Sequence, residues 1–158
     1  MKKNNVFNQQ VEQLYTEVKG LIENSKARVF RAANISMVQS YWEIGRLLVE
    51  VEQKGEDRAD YGKKILAVLS RRLQSQFGKG YAEANLRYMR LFYKVFSIRH
   101  ALRDNLSWTH YRLLLKVEKE TARAFYMEEA IAGNWNTRTL ERELTSFQKI
   151  AEHKKRAV

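Results

Sequence analysis

Seven side chains in the middle of this chain carry the chemistry most easily read from sequence: Arg71, Arg72, Lys79, Asn85, Arg87, Arg90 and Lys94. All but Asn85 are cationic, and their spacing matters more than their number. From Glu83 onward, at about 100° per residue, Leu86, Met89, Tyr93 and Phe96 fall on one side of a helix, and Arg87, Arg90 and Lys94 on an adjoining stripe. A guanidinium or ammonium stripe beside a buried face can hold phosphate oxygens. Lys79, placed in the Gly78–Gly80 turn before that helix, could reach a phosphate, and Asn85 a base edge. Arg71 and Arg72 would flank the contact. A stripe of this kind is also what an ordinary solvated helix face looks like, so the rest of the chain has to decide between the two.

The distribution of charge favours a polyanion. Net charge is +11, and residues 60 to 116 hold +9 of it, with 12 Lys and Arg against 3 Asp and Glu. The flanking segments are nearly balanced, 9 against 8 in residues 1 to 59 and 8 against 7 in residues 117 to 158. An excess confined to one segment fits an electrostatic footprint for nucleic acid better than general solubility. DNA is therefore the expected partner. A membrane surface ranks well behind it, because the basic residues are divided among short helices instead of lining one long amphipathic face.

Other chemistry finds little support. The chain has no Cys, and its three His (His100, His110 and His153) are scattered, so neither a disulfide framework nor a Cys-based zinc site is expected. The acidic residues of the basic segment are Asp60, Glu83 and Asp104, with no pair spaced to clamp a divalent cation and no Gly-rich phosphate loop after a strand. His110, beside a helix start, reads as a structural hydrogen-bonder before it reads as a general base. No cofactor, metal or catalytic residue is expected. The N-terminus lacks the apolar core of a signal peptide and no apolar run approaches the roughly 20 residues of a spanning helix, so a cytoplasmic protein is expected.

The elements that would position these residues are helical throughout. Proline is absent, good helix formers fill the stretches between glycines, and strand-like alternation is not evident. The pattern predicts a helix over 7 to 23, an interruption at Asn24–Ser25 with Ser25 as cap, and a long second helix to about Gln53. Ala33, Met37, Tyr41, Ile44, Leu48 and Val51 on that second helix make a near-coiled-coil seam, suited either to another helix of the chain or to a homodimer through residues 25 to 53. Residues 54 to 60 form a polar hinge. A helix over 61 to 77, with Leu66, Leu69, Leu73 and Phe77 on one face, a Gly78 left-handed C-cap and the basic helix then make a helix-turn-helix. Further helices follow Ser107, over 119 to 132 and over 137 to 150, the last capped by Asn136, with Leu140, Leu144 and Phe147 buried. The expected class is all-α: a helical bundle with a long N-terminal hairpin or coiled-coil-like arm (residues 1 to 54), a helix-turn-helix-like region (residues 55 to 150) and a frayed charged tail (residues 151 to 158). Tyr81, Tyr88, Tyr93, Trp108 and Tyr111 could stack unpaired bases, but most are expected in the core.

The stretches YWEIGRLLVE (41 to 50), RADYGKKILAVLSRRL (58 to 73), FGKGYAEANLRYMRLFY (77 to 93), LSWTHYRLLLKVE (106 to 118) and NWNTRTLEREL (134 to 144) together resemble the N-terminal domain of the YhcG family. In that family this helical domain precedes a PD-(D/E)XK nuclease domain. The pair LSWTHYRLLL and NTRTLEREL is also similar, more weakly, to the helix-turn-helix of ParB-type partition proteins. Both resemblances imply DNA recognition, and the first implies association with a nuclease or restriction-type partner. The family pattern has Ser where this chain has Ala82, which removes an N-cap worth about 1 kcal/mol. A PD-(D/E)XK site needs an Asp and an Asp/Glu-x-Lys placed by a β-hairpin to bind Mg²⁺, and the helical pattern through Val158 offers no such hairpin, so nuclease activity is not expected of this chain. The alternative expectation, motivated by the seam from Ala33 to Val51, is a helical interaction or oligomerisation module that docks a nuclease or restriction-type partner and whose basic surface is incidental.

Overall fold

A computed structural model describes residues 2 to 54, 58 to 98 and 102 to 156, with side chains over 6 to 54, 60 to 98 and 102 to 147. Among the described residues there are six α-helices and no strand: α1 (Lys2–Gln53), α2 (Arg58–Phe77), α3 (Glu83–Val95), α4 (Trp108–Leu114), α5 (Glu120–Ala132) and α6 (Thr137–Arg156), with a short 3₁₀ turn, Lys79–Tyr81, between α2 and α3. The all-α expectation holds.

The expected break at Asn24–Ser25 does not occur, and α1 is one helix of 52 residues, about 78 Å long. Asn and Ser each cost only a fraction of a kcal/mol inside a helix relative to Ala, too little to stop one that its C-terminal half anchors. Ser25 does not cap; its hydroxyl accepts from Arg28 Nη2 at 3.2 Å. At the other end of the chain α6 continues to Arg156 instead of stopping near Ile150.

The two halves of α1 have different fates. Residues 6 to 33 are exposed almost throughout, whereas Val38, Tyr41, Trp42, Gly45, Leu48 and Val49 are buried. Of the seam expected over 33 to 51, Tyr41, Ile44 and Leu48 are taken up within the chain and Ala33 is exposed. Tyr41 and Leu48 pack with Leu66 of α2 and with Leu86 and Met89 of α3. Met37 and Val51 stay exposed. A second cluster joins Val38 and Trp42 of α1 to Phe92 of α3, Tyr111 and Leu114 of α4, Ala130 of α5, and Leu140 and Leu144 of α6. Helix α3 contributes to both clusters, and Leu86, Met89 and Phe92 have no exposed surface at all. Phe77 and Phe147, expected on buried faces, are 60% and 41% exposed at the ends of their stripes.

The α1–α3 crossing depends on a missing side chain. A Cβ at Gly45 would lie 2.1 Å from the Met89 carbonyl oxygen, so the backbones approach more closely than any other residue permits. Trp42 fastens the same crossing, its Nε1–H donating to the Phe96 carbonyl at the end of α3 at 2.6 Å.

Candidate nucleic-acid interface

The turn between α2 and α3 is built as its glycine implies. Gly78 has φ 88°, a left-handed conformation that a side chain would strain, and its N–H donates to the Gln74 carbonyl at 3.0 Å. Ser70, buried on α2, donates to the Tyr81 carbonyl at 3.0 Å and accepts from Gln74 Nε2 at 2.8 Å, which pins the 3₁₀ turn onto α2. Ala82 occupies the N-cap of α3 and offers no side-chain hydrogen bond. Asn85, three residues on, braces this start from within: its amide donates to the Gly80 carbonyl and accepts from Trp108 Nε1 at 3.3 Å.

The seven basic-stripe candidates separate on inspection. Asn85 and Arg90 are engaged inside the fold. Arg90 Nη1 donates to Glu52 Oε1 of α1 at 2.8 Å, with Glu52 only 14% exposed. Arg87 is exposed and pairs with Glu83 one turn back, a contact between solvated groups that a phosphate can displace. Lys79, Lys94, Arg71 and Arg72 are exposed and have no acidic partner among the described residues. The solvent stripe of α3 thus consists of Ala84, Arg87, Leu91 and Lys94.

Two cations left out of that set extend it. Arg112 of α4 lies over the Tyr88 ring of α3, 4.8 Å from its centroid, and Lys116 follows it at i+4; both are exposed. They belong to the same +9 segment, and the Arg112-x-x-x-Lys116 spacing, with Arg112 in α4 and Lys116 in the turn just after it, was the available signal. The aromatic side chains that could have stacked bases are packed in the protein. Tyr41 packs at a tilt against Trp108, Trp42 edge-on against Tyr93 and Phe92 at a tilt against Tyr111. Tyr111 is fully buried, its hydroxyl accepts the Arg103 N–H at 2.7 Å, and burial pushes its pKa up to about 12.

Helices α4 to α6 form a second unit around a different turn. Asn134 takes the left-handed position at φ 47°, with Trp135 N–H on the Ala130 carbonyl at 2.8 Å and Asn134 N–H on the Ile131 carbonyl at 3.2 Å, a Schellman closure of α5. Asn136 then caps α6, its Oδ1 accepting from Thr139 N–H at 2.9 Å. His110 bolts this turn to α4. Its Nδ1 accepts the Ser107 N–H at 3.2 Å, which leaves Nε2 to carry the proton and donate to the Trp135 carbonyl at 2.9 Å. Both ring nitrogens are engaged, so His110 is a positioning residue. On α6, Arg138, Glu141 and Arg142 are exposed and alternate in sign.

Among the described residues no group of three His, Cys, Asp or Glu could hold a metal, and no helix is long and apolar enough to cross a membrane. His100 and His153 fall outside the described side chains.

An all-α domain with a long exposed arm, two helix pairs joined by tight turns and a basic central surface is the class that these features define. Comparison with known proteins gives the family: the model described as "DUF1016 N-terminal domain" matches residues 17–149, and the chain belongs to that family. It is 30% identical over 167 aligned positions to "Putative nuclease YhcG" of Escherichia coli strain K12. That alignment covers 85% of this chain and 44% of the relative, so the chain spans less than half of the relative's length. No solved structure matches.

Proposed function

We propose that this domain is the DNA-targeting part of a YhcG-type nuclease system, holding duplex DNA mainly through its phosphates. One observation carries the reading. Of the basic residues between 60 and 116, Lys64, Arg71, Arg72, Lys79, Lys94, Arg112 and Lys116 are all exposed and have no acidic partner among the described residues. Surface cations of a domain selected only for solubility are interspersed with acids; here they accumulate on α2, the turn, α3, α4 and the residues just after α4. Kinship with a protein described as a putative nuclease supports a nucleic-acid substrate. The enclosure of Tyr93, Trp108 and Tyr111 favours a duplex over single strands, because the stacking platform that single-strand binders use is taken up in the core.

In this reading Lys79, Arg87 and Lys94 contact phosphates along the turn and α3, with Arg71, Arg72 and Arg112 at the flanks. Asn85 and Arg90 keep α3 in place and do not read bases. Fluorescence anisotropy with a labelled duplex across a salt series tests this. Joint replacement of Lys79, Arg87 and Lys94 by Ala is expected to weaken binding and to reduce the slope of log affinity against log salt by about 3, since each phosphate contact on duplex contributes roughly 0.9. Unchanged affinity and slope would rule this surface out.

A further inference from the structure

The arm half of α1 carries an apolar stripe that the rest of the chain does not cover. Phe7, Val11, Leu14, Val18 and Leu21 recur at spacings of 4, 3, 4 and 3 and are between 42% and 69% exposed, with Tyr15 and Ile22 beside them equally bare. Together these side chains offer on the order of 700 Å² from each chain, close to what a standard-size interface takes from one partner and more than a monomer ordinarily leaves in one patch. The spacing is that of a coiled-coil seam, so the surface that fits it is another helix with the same repeat. No helix of the body has it free: in the 33-to-51 stretch of α1 the central seam residues Tyr41, Ile44 and Leu48 are packed on α2 and α3, and the other helices pack their main apolar faces within the two core clusters.

We infer that the arm pairs with the arm of a second copy of this chain, as a parallel two-stranded coiled coil over residues 7 to 22. Three features select this occupant and this orientation. In heptad terms Val11 and Val18 fall at a and Leu14 and Leu21 at d, the combination of β-branched a and Leu d that favours two parallel strands. An antiparallel pairing that kept the apolar layers, Val11 opposite Leu21 and Val18 opposite Leu14, would bring the Glu17 side chains of the two copies, at g positions flanking the seam, together. The bodies also have room. Val18 and Gly45 are 27 residues apart, about seven and a half turns, so the seam points away from the side of α1 on which α3 packs, and two bodies stand on opposite outsides of the pair. The next positions of the repeat, Ser25 and Arg28, end the seam before the body begins.

The inference does not depend on DNA binding and is tested in its absence, by light scattering of the purified full chain in high salt at tens of micromolar. The expected mass is twice the 18.7 kDa of one chain. The double variant Leu14→Glu/Leu21→Glu should be monomeric with undiminished far-UV helicity and thermal midpoint of the body, because both side chains are exposed in the single chain. Orientation is read separately. The chain has no cysteine, so Val11→Cys places a single thiol at a seam position, and mild oxidation should give a covalent dimer. A monomeric wild type, a trimeric mass, a dimer that survives the double Glu variant, or a dimer in which Val11→Cys does not cross-link would each overturn the proposal.

Discussion

Helices α3 and α6 each follow a tight turn and each closes a helix pair, yet they use their surfaces in opposite ways. Helix α3 touches α1, α2 and α4, and its polar side chains Asn85 and Arg90 are engaged by those neighbours. What remains in solvent is a narrow stripe in which Arg87 pairs with Glu83 and Lys94 has no acidic partner among the described residues. Helix α6 is buried only along Leu140 and Leu144, and leaves a broad face where Arg138 and Arg142 alternate with Glu141 and Glu143. The turns are stabilised differently too. The first relies on Gly78 and on side chains reaching from the helix interiors, the second on a complete set of backbone hydrogen bonds plus His110. A helix enclosed on three sides is a rigid platform with few displayed groups, and Lys94 with a displaceable Arg87 on such a helix suits phosphate contact. A helix with a wide mixed-sign face suits solvent or a protein neighbour.

The largest expected effect comes from breaking the enclosure of α3. Gly45→Ala would drive a methyl group into the Met89 carbonyl, which is backbone and cannot turn aside, so the α1–α3 crossing must open. A loss of about 3 kcal/mol is expected in chemical denaturation, at the upper end for overpacking because two helix backbones must separate. Amide exchange should rise on α3 before α6, since α6 packs mainly on α4 and α5. A Gly45→Ala protein within about 0.5 kcal/mol of wild type would contradict that picture.

The second unit is tested through its bolt. His110→Ala removes a buried ring and leaves the Ser107 N–H and the Trp135 carbonyl without their partners, at a cost of about 2 kcal/mol. Because the lost bonds end on the α5–α6 turn, Trp135 should gain solvent exposure in fluorescence quenching while the DNA-binding salt slope stays at the wild-type value.

Local chemistry made much of this legible. The left-handed position at Gly78, the Asn136 cap, the structural role of His110 and the helical content all follow from short-range rules, and the structure agrees with each. What the sequence concealed was set across long separations. Arg90 shares a helix stripe with Arg87 and Lys94, but Glu52, 38 residues away, turns it inward. Local periodicity put Tyr93 and Phe96 on the buried side and passed over Phe92, which is fully enclosed because α4 covers a second flank of α3. Nothing near Asn24 announces that α1 will run through it, since the anchoring contacts begin at Val38. The need for glycine at 45 appears only when Met89 is laid across it.

The finest test of the comparison sets two arginines three residues apart against each other. Arg90→Ala leaves the mostly buried Glu52 carboxylate without its partner, so stability should fall by about 1 kcal/mol, tempered by the one-third exposure of Arg90 itself. Arg87→Ala loses only an exposed i,i+4 pair with Glu83, and stability should stay within about 0.5 kcal/mol of wild type. On DNA the order should reverse. Arg87→Ala should reduce the salt slope by about 1, as the loss of one phosphate contact does, whereas Arg90→Ala should leave the slope intact once the fraction folded is accounted for. Equal effects of the two substitutions on binding would mean that α3 does not present its outer stripe to the backbone, and that Arg71, Arg72 and Arg112 on the neighbouring helices carry the contact instead.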